Sequence, residues 1–232
     1  MPVVTMSGNL ASGAREVGGA VSRLLDIGLV DQALMVQAAK RCGVPVGTLA
    51  EHDERYGSFR ERLSHLLRTF LERSAASGGA DPLTGATGLE AVLSRTYADM
   101  AVERDEHQLS DSTYVETMTA IIGEIASEGD AVILGRASQI ILRDRTDTVH
   151  VLCVAPEDMR CWRLSERDSI GIEEATKRVH ESDRARGAFY RKFWSVELED
   201  PNLYDLSINT SELDYDGAAE LVAATVPLKT GG

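Results

Sequence analysis

The sequence predicts an α/β fold in which a five-stranded parallel sheet has helices on both faces and carries an all-helical insertion. Three observations lead to this prediction. Short apolar runs of four to six residues recur without polar alternation, which is typical of parallel strands covered on both faces. Helical patterns follow these runs, as in repeated β-α units. Between Asp31 and Asp130 only helical patterns occur, so this segment is predicted to be an insertion.

The strands are predicted from β-branched or aliphatic runs, and the core helices from apolar residues at steps of three and four. The predicted strands are residues 3–6, 27–30, 131–135, 149–154 and 205–209. The predicted core helices are one that follows Gly13 and then residues 136–142, 156–167 and 215–224. Each helix follows a strand, so the order of elements is that of an α/β unit repeated along the chain.

The core is accordingly assigned to residues 1–31 and 130–232, and the helical insertion to residues 32–129. Helices are predicted in the insertion over residues 32–41, 59–74, 89–105 and 112–127. Residues 75–88 are rich in Gly, Ala and Thr and are expected to form a mobile loop. The helices predicted over residues 59–74 and 89–105, with their Leu and Phe stripe, fit either ordinary core packing or a homodimer interface.

The composition of the chain excludes several classes of protein. The 232 residues carry 24 Lys and Arg against 37 Asp and Glu, and a net charge of −13 excludes a general nucleic-acid binder. No apolar stretch approaches the roughly 20 residues that span a bilayer, and the first residues lack a signal-peptide pattern, so we expect a cytoplasmic protein without membrane partners. Cys42, Cys153 and Cys161 are widely spaced, which predicts reduced thiols and no zinc site.

A turn with glycines five residues apart separates the first strand from the first helix. Its sequence is Gly8-Asn9-Leu10-Ala11-Ser12-Gly13. Backbone N–H groups in such a turn bind phosphate oxygens together with the helix N-terminus. A standard P-loop continues with Lys and then Ser or Thr, whereas this chain has Ala14 and Arg15. The alternative is a small-residue turn that lets the helix pack close to the strand.

A basic segment occurs late in the chain, within residues 177–194. Between Lys177 and Lys192 there are six basic and two acidic residues. The basic residues are Lys177, Arg178, Arg184, Arg186, Arg191 and Lys192, and the aromatic residues beside them are Phe189, Tyr190, Phe193 and Trp194. The segment fits a lid that closes over phosphates, or a solvated helix with ion pairs along its surface.

Two further residues are placed at the carboxyl edge of the predicted sheet, where open parallel sheets bind ligands. Arg136 follows the third strand and can hold a phosphate in a bidentate manner, or it is a solvent-facing residue at a helix start. Asp31 follows the second strand and fits a ligand-binding acid, a helix N-cap, or both.

Several stretches together resemble the second type of the cytidylate kinase-like family of P-loop proteins. They are VTMSGNLASGAREVG, LLDIGLVDQALM, GDAVILGRASQIILRD, the Asp-Arg-Ala-Arg segment that begins at Asp183, and LYDLSINTSELDYDGAAELV. The resemblance covers about the first forty and the last hundred residues. It implies a P-loop kinase core, ATP and Mg²⁺ as the phosphoryl donor, and a nucleotide acceptor that resembles CMP.

The resemblance also implies residue roles. Ser12-Gly13-Ala14-Arg15 match the phosphate loop, and Asp31 matches the acid at the acceptor entrance. Arg136 matches the residue that binds the acceptor phosphate, and Arg184 and Arg186 match the lid arginines. Arg15 and Arg191 are added as catalytic candidates, and the Asn209-Thr210 turn matches the segment beside the donor base. Members usually have Gly where this chain has Ala11 and Ala14, so a left-handed backbone there costs on the order of 1 kcal/mol.

Two functional hypotheses follow. The first is a kinase that transfers the γ-phosphoryl group of MgATP to CMP or dCMP, with Arg160, Arg163 and Arg167 as the alternative arginines if the lid residues are not used. The second is a degenerate kinase-like domain that binds a nucleotide or a partner protein without turnover. The replacement of the Lys-Ser/Thr pair by Ala14 and Arg15 favours the second, and the basic segment favours the first.

Overall fold

A computed structural model of the chain describes residues 2–36, 54–76, 86–101 and 111–230. It divides into two compact units. The first consists of Met1–Leu29, Thr96–Glu103 and Asp130–Gly232, and the second of Val30–Arg95 and Arg104–Gly129. Thr96–Glu103 therefore groups with the sheet, although its sequence position lies inside the helical insertion.

The five strands are β1 Val3–Gly8, β2 Gly28–Val30, β3 Ala131–Leu134, β4 Thr148–Val154 and β5 Leu206–Asn209. Their order in the sheet is β2-β3-β1-β4-β5. Strand β1 is parallel to β3 and β4, with Met6 opposite both Leu134 and Val151, and β4 is parallel to β5. The predicted fold class is confirmed. The first and last residues of each predicted strand differ from those of the observed strand by at most two positions.

The helices with given bounds are α1 Ala14–Leu25, α2 Glu54–Ala76, α3 Ala86–Ser94, α4 Tyr97–Ala101, α5 Asp111–Glu128, α6 Ser138–Ile141, α7 Glu157–Asp168, α8 Ile172–Trp194 and α9 Tyr215–Thr230. Residues 32–36 are also helical, and Pro201–Leu203 form a short 3-10 helix. Within the described residues, no helix is both long enough and apolar enough to cross a membrane.

The two faces of the sheet differ in polarity. Val4 and Met6 of β1 lie on an apolar face that packs against α1 and α9. The intervening Thr5 and Ser7 are also buried, but Thr5 is hydrogen-bonded to His150 of β4 at 2.8 Å. Burial lowers the pKa of His150 to about 4, so its imidazole is neutral at pH 7. Both faces are covered, as predicted, although polar side chains alternate with apolar ones along β1.

Two helix predictions are wrong in detail. The pattern over residues 89–105 is broken at Thr96, because Thr96 and Asp99 form a reciprocal capping box: the Asp99 N–H donates to Thr96 Oγ1 at 3.2 Å, and the Thr96 N–H donates to Asp99 Oδ2 at 2.9 Å. The helix predicted over 136–142 begins only at Ser138, because Arg136 and Ala137 have φ of 58° and 56°. Helix α4 and the left-handed turn before α6 are the observed structures.

Other predictions fall partly on residues that are not described. The helix predicted over 32–41 is observed for 32–36, and residues 37–41 and Cys42 lie outside the described residues. The same holds for 77–85 of the predicted loop, whose flanking residues 75–76 and 86–88 are helical. Cys153 and Cys161 are free and buried, as predicted, and burial raises the pKa of Cys153 to about 12.

The second unit is built mainly from α2, α3 and α5. Leu63 and Leu67 of α2 are almost completely buried, as are Ile121 and Ile122 of α5. The apolar stripe on α2 is therefore used, at least at Leu63 and Leu67, for core packing within this unit. A homodimer through this region stays a prediction.

Candidate active site

The turn between β1 and α1 brings a helix N-terminus to the carboxyl end of the central strand. Its backbone is closed by a hydrogen bond from the Ser12 N–H to Asn9 O at 3.1 Å. Helix α1 starts at Ala14, and the Val17 N–H donates to Gly13 O at 2.9 Å. No side chain caps this helix end. The first-turn N–H groups of a helix have no acceptors inside the helix, so this end is suited to bind an anion.

Both glycines of the turn are required by its geometry. A Cβ at Gly8 would lie 2.5 Å from the carbonyl oxygen of Cys153 and even closer to Ser12 Oγ. Gly13 has φ of 88°, and a Cβ there would lie 2.8 Å from the ring of Tyr215. Ser12 Oγ is buried without a hydrogen-bond partner among the described residues. A close backbone cradle with an unsatisfied hydroxyl fits the phosphate groups of a nucleotide.

The two alanines of the turn behave differently. Ala11 adopts a left-handed backbone with φ of 61°, which costs it on the order of 1 kcal/mol relative to glycine. Ala14 instead lies in the helix and carries no such cost. The side chain of Arg15 is exposed on the same first turn. The loop therefore forms with alanine at both positions, with strain at one of them.

Two arginines bind carbonyl groups of the loop, and a third supports the loop through Thr210. Arg186 Nη1 donates to Gly8 O at 2.5 Å. Arg160 Nη1 donates to Leu10 O at 3.4 Å, and the same nitrogen lies 2.8 Å from Asp183 Oδ2. Because these bonds engage carbonyl oxygens, they fix the conformation of the loop and leave its N–H groups for another acceptor.

The third arginine acts through Thr210. Arg163 donates to Thr210 Oγ1 at 2.9 Å and to Thr210 O at 2.7 Å, and Thr210 Oγ1 in turn donates to Ser12 O at 2.8 Å. The guanidinium of Arg163 also lies 5.3 Å from the ring centroid of Tyr215. The turn that follows β5 is thereby tied to the phosphate loop.

A second positively charged element lies at the end of β3. Gly135, Arg136 and Ala137 are consecutive residues with positive φ, an arrangement that surrounding contacts must stabilise. The Arg136 N–H donates to the hydroxyl of Tyr97 at 2.8 Å, and the side chain of Arg136 is only 4% exposed. The guanidinium groups of Arg136 and Arg186 lie 5.7 Å and 4.9 Å from the Tyr97 ring centroid. Tyr97 therefore gathers two arginines next to the loop.

A buried polar network anchors helix α8 behind this site. Ser7 Oγ donates to Gln139 Oε1 at 3.1 Å, and Gln139 Nε2 donates to the hydroxyls of Tyr190 and Tyr204, both at 3.1 Å. The hydroxyl of Tyr204 donates to Leu198 O at 2.6 Å. Burial raises the pKa of both tyrosines above the usual value of 10, so both remain neutral hydrogen-bonding groups.

Comparison with known proteins identifies the family of this chain. A model of the cytidylate kinase-like family matches residues 3–212. The chain belongs to the cytidylate kinase-like family. This finding confirms the resemblance inferred from the motifs.

Individual relatives agree with the family match. A cytidylate kinase of Methanococcus maripaludis strain C7 is 26% identical over 168 residues, covering 64% of this chain and 94% of that protein. A cytidylate kinase of Methanocaldococcus jannaschii is 30% identical over 105 residues, covering 44% and 59%. The crystal structure of an uncharacterized protein from Eubacterium ventriosum aligns with a TM-score of 0.59 at 14% identity, covering 97% of this chain and 98% of that one. At that identity the structural likeness shows the fold alone.

Within this family member, the structure gathers some sequence-predicted residues and not others. Gly8, Ser12, Gly13, Ala14 and Thr210 form the loop and its support, and Arg136 and Arg186 meet at Tyr97. Their roles in binding and catalysis stay predictions. The basic segment fits a lid less simply than expected, because two of its aromatic residues, Phe189 and Tyr190, are buried. Phe189 packs edge to face on Tyr97 with ring centroids 5.0 Å apart.

The remaining candidates have other surroundings in the structure. Arg184 is exposed, and no partner for its guanidinium is found among residues 2–36, 54–76, 86–101 and 111–230. Arg191 pairs with Glu197 at 3.1 Å. Arg167 pairs with Asp168 at 2.8 Å on the surface.

Asn209 and Asp31 both stabilise local backbone. Asn209 Oδ1 accepts a hydrogen bond from the Ser211 N–H at 3.0 Å. In the second unit, Asp31 caps the helical residues 32–36 through a hydrogen bond from the Leu34 N–H to its Oδ1 at 2.7 Å. The N-cap interpretation of Asp31 is confirmed, while its role at the acceptor entrance stays a prediction.

Tyr97 and Gln139 are site residues that the sequence analysis missed. The Thr96-Tyr97-Ala98-Asp99 capping pattern could have placed a helix start, and with it Tyr97, at this point. For Gln139, no local pattern distinguishes it from a solvent-facing residue near a helix start. Its partners Ser7 and Tyr190 are 132 and 51 residues away in sequence.

Proposed function

We propose that this protein transfers the γ-phosphoryl group of MgATP to a nucleoside monophosphate, with CMP or dCMP as the acceptor. The observation that carries the proposal is the meeting of Arg136 and Arg186 at Tyr97, beside a phosphate cradle at a helix N-terminus. In the reaction, a phosphate oxygen of the acceptor forms a bond to the γ-phosphorus. The bond from that phosphorus to the β,γ-bridging oxygen breaks, and ADP leaves.

The donor phosphates are bound by the phosphate loop in this proposal. The N–H groups from Gly13 to Arg15 and the orphaned hydroxyl of Ser12 are the donors proposed to bind them, because the Ser12 N–H is already bonded to Asn9 O. The family resemblance assigns the Asn209-Thr210 turn to the donor base, and in the structure Thr210 Oγ1 donates to Ser12 O of the same loop. These residues bind and orient ATP and need not exchange protons with it.

Mg²⁺ enters with ATP as part of the donor substrate. In a standard P-loop, a Ser or Thr hydroxyl binds Mg²⁺. In this chain Arg15 occupies that position. Among the described residues, no group of three or more His, Cys, Asp and Glu side chains could hold a metal ion. Phosphate oxygens and water would supply most of the ligands of Mg²⁺ in this proposal, and the protein would contribute positive charge through its arginines.

Phosphoryl transfer asks the protein mainly for alignment and charge stabilisation, because its transition state is loose and needs little proton abstraction. Arg136 holds the acceptor phosphate in line with the donor. Arg184, Arg186 and Arg191 are the residues proposed to stabilise the charge that develops on the transferring group and the bridging oxygen.

The test is a coupled ADP-release assay with CMP, dCMP, UMP, AMP and GMP as acceptors, together with thermal shifts for each nucleotide in the presence of Mg²⁺. We expect turnover with CMP or dCMP, in keeping with the cytidylate kinases among the relatives. A ligand at 100 times its Kd stabilises the fold by about 2.7 kcal/mol, which a thermal shift detects. Protein that binds ATP and a monophosphate but releases no ADP would instead be a degenerate kinase-like domain.

Arg136→Ala is expected to raise the KM for the monophosphate at least about tenfold, since a charge-assisted bond contributes roughly 1.5–3 kcal/mol. ATP affinity should change little. Alanine is compatible with the local backbone, because Ala137 adopts the same left-handed conformation next to it. The measurement is a pair of steady-state titrations, one with ATP and one with the acceptor varied.

The matched control is Arg143→Ala, which removes an exposed arginine of the following turn that contacts Asp144 at 3.8 Å. It should leave both KM values unchanged. Equal losses for both substrates in Arg136→Ala, accompanied by a lower Tm, would mean that Arg136 acts through folding and not through the acceptor.

A further inference from the structure

We propose that Arg186, held in place by Tyr97, supplies the fixed positive charge that lysine supplies in a standard phosphate loop. The inference rests on the proposed phosphoryl-transfer function and deepens it. It gives Arg186 a role in binding the donor β- and γ-phosphates before any chemistry occurs. Arg184, two residues earlier, keeps the separate role of stabilising charge in the transition state.

The sequence leaves the loop without its own cation. Ala14 occupies the position of the P-loop lysine, which normally contacts the β- and γ-phosphates. Arg15 follows it, but its side chain is exposed on the first turn of α1. Donor phosphates carry several negative charges, so a loop that binds them through N–H groups alone lacks the charge that the lysine provides. Another element must bring that charge.

Two arginines contact the loop and a third binds Thr210 beside it, and two of these three are already engaged. Arg160 is paired with Asp183, whose carboxylate lies 2.8 Å away and compensates its charge. Arg163 uses two nitrogens to bind the side chain and backbone of Thr210. Arg186 makes one hydrogen bond, to Gly8 O, and no carboxylate pairs with it among the described residues. Its charge and its remaining N–H groups are the ones left for a ligand.

The position of Arg186 is fixed by its surroundings. Its guanidinium lies 4.9 Å from the ring centroid of Tyr97, within the range of a cation–π interaction. That ring is itself fixed, because Phe189 packs edge to face against it and its hydroxyl accepts the Arg136 N–H. The bond to Gly8 O then sets the guanidinium at the first residue of the loop. A planar guanidinium suits this stacked site better than an ammonium does.

Arg184 and Arg186 differ in solvent exposure, and this difference indicates different roles for the two lid arginines. Arg184 is exposed, whereas Arg186 is half-buried against Tyr97 and already bonded to the loop. A charge that is in place before the donor arrives contributes to donor affinity. A charge that engages only during transfer contributes to kcat.

The experiment measures Kd for MgATP, MgADP and AMP by calorimetry on wild type, Arg186→Gln and Arg186→Ala. The glutamine variant removes the charge and retains a polar N–H donor on a shorter side chain, whereas the alanine variant removes both. We expect both variants to bind MgATP and MgADP at least about tenfold more weakly, as for loss of a charged hydrogen bond. AMP, which lacks the β- and γ-phosphates, should bind as it does to wild type.

Three further variants sharpen the test. Arg23→Ala removes an exposed arginine from the last turn of α1 and should leave all three Kd values unchanged. Tyr97→Leu should weaken MgATP binding more than Tyr97→Phe does, because phenylalanine keeps the ring and loses only the hydroxyl that accepts the Arg136 N–H. Adding Ala14→Lys to Arg186→Gln should restore part of the lost ATP affinity, because the charge returns at its usual position.

Folded Arg186→Gln protein that binds MgATP as tightly as wild type would overturn the inference and leave the proposed function standing. Wild-type protein that binds no MgATP would overturn the proposed function itself, and the inference with it. An equal loss of AMP and ATP affinity would also overturn the inference, because it would show that Arg186 shapes the site and does not bind the β- and γ-phosphates.

Discussion

Gly8→Ala is expected to lower kcat/KM for ATP by about 100-fold or more, because displacing a positioning group by about 1 Å costs that much in rate. The added methyl group would lie 2.5 Å from Cys153 O, a backbone atom of β4. Strand β4 pairs with β1 in a register that sets Cys153 opposite Gly8, so this atom cannot move aside without disturbing the centre of the sheet. The loop has to shift instead, taking its N–H groups with it.

The measurement combines ATP titration of turnover with chemical unfolding. Overpacking of this kind costs typically 1–3 kcal/mol of unfolding free energy, so the variant should remain folded at 25 °C. Gly171→Ala is the matched control, because Gly171 precedes α8 with φ of −63° and no heavy atom lies within 4 Å of an added Cβ. Folded Gly8→Ala protein with wild-type kinetics would show that this turn does not bind the donor.

Strands β3 and β4 could be predicted from sequence because they contain short β-branched or aliphatic runs that are almost completely buried. The basic segment of residues 177–194, interpreted either as a lid or as a solvated helix, lies in α8. The errors have local causes. Thr96 and Asp99 close a capping box that ends one helical pattern and starts another. Arg136 has a left-handed backbone, and its N–H donates a hydrogen bond to the hydroxyl of Tyr97, 39 residues away, which periodicity cannot reveal.

The candidate site shows the same division. Gly8, Gly13 and Arg186 could be proposed from the loop spacing and the Asp-Arg-x-Arg segment, because both patterns are local. The connection between them is not local: Arg186 reaches Gly8 O across 178 residues of sequence. Tyr97, which brings Arg186 and Arg136 together, lies in a segment that looked like part of the helical insertion. Long-range contacts of single side chains leave no periodic trace in a sequence.

Arg184→Ala is expected to lower kcat about 100-fold or more and to leave both the Kd for MgATP and the Tm nearly unchanged. Stabilisation that exists only in the transition state appears in kcat, and removing one such donor costs about 10²–10³-fold. The stability of the fold should hardly change, because Arg184 is exposed and has no side-chain partner in the described part of the chain. Surface substitutions of this kind usually stay within about 0.5 kcal/mol.

The measurement is ADP release with saturating MgATP and acceptor, with Arg23→Ala as a control for the loss of one exposed positive charge. Arg184→Ala with full turnover would remove Arg184 from the mechanism. The charge on the transferring group would then be stabilised by Arg186 and Arg191, the other two arginines proposed for that role. No ADP release by wild type with any acceptor would favour the degenerate domain. In that case the exposed guanidinium of Arg184 would contribute to binding of a nucleotide or a partner protein, and Arg184→Ala would change only the affinity for that ligand.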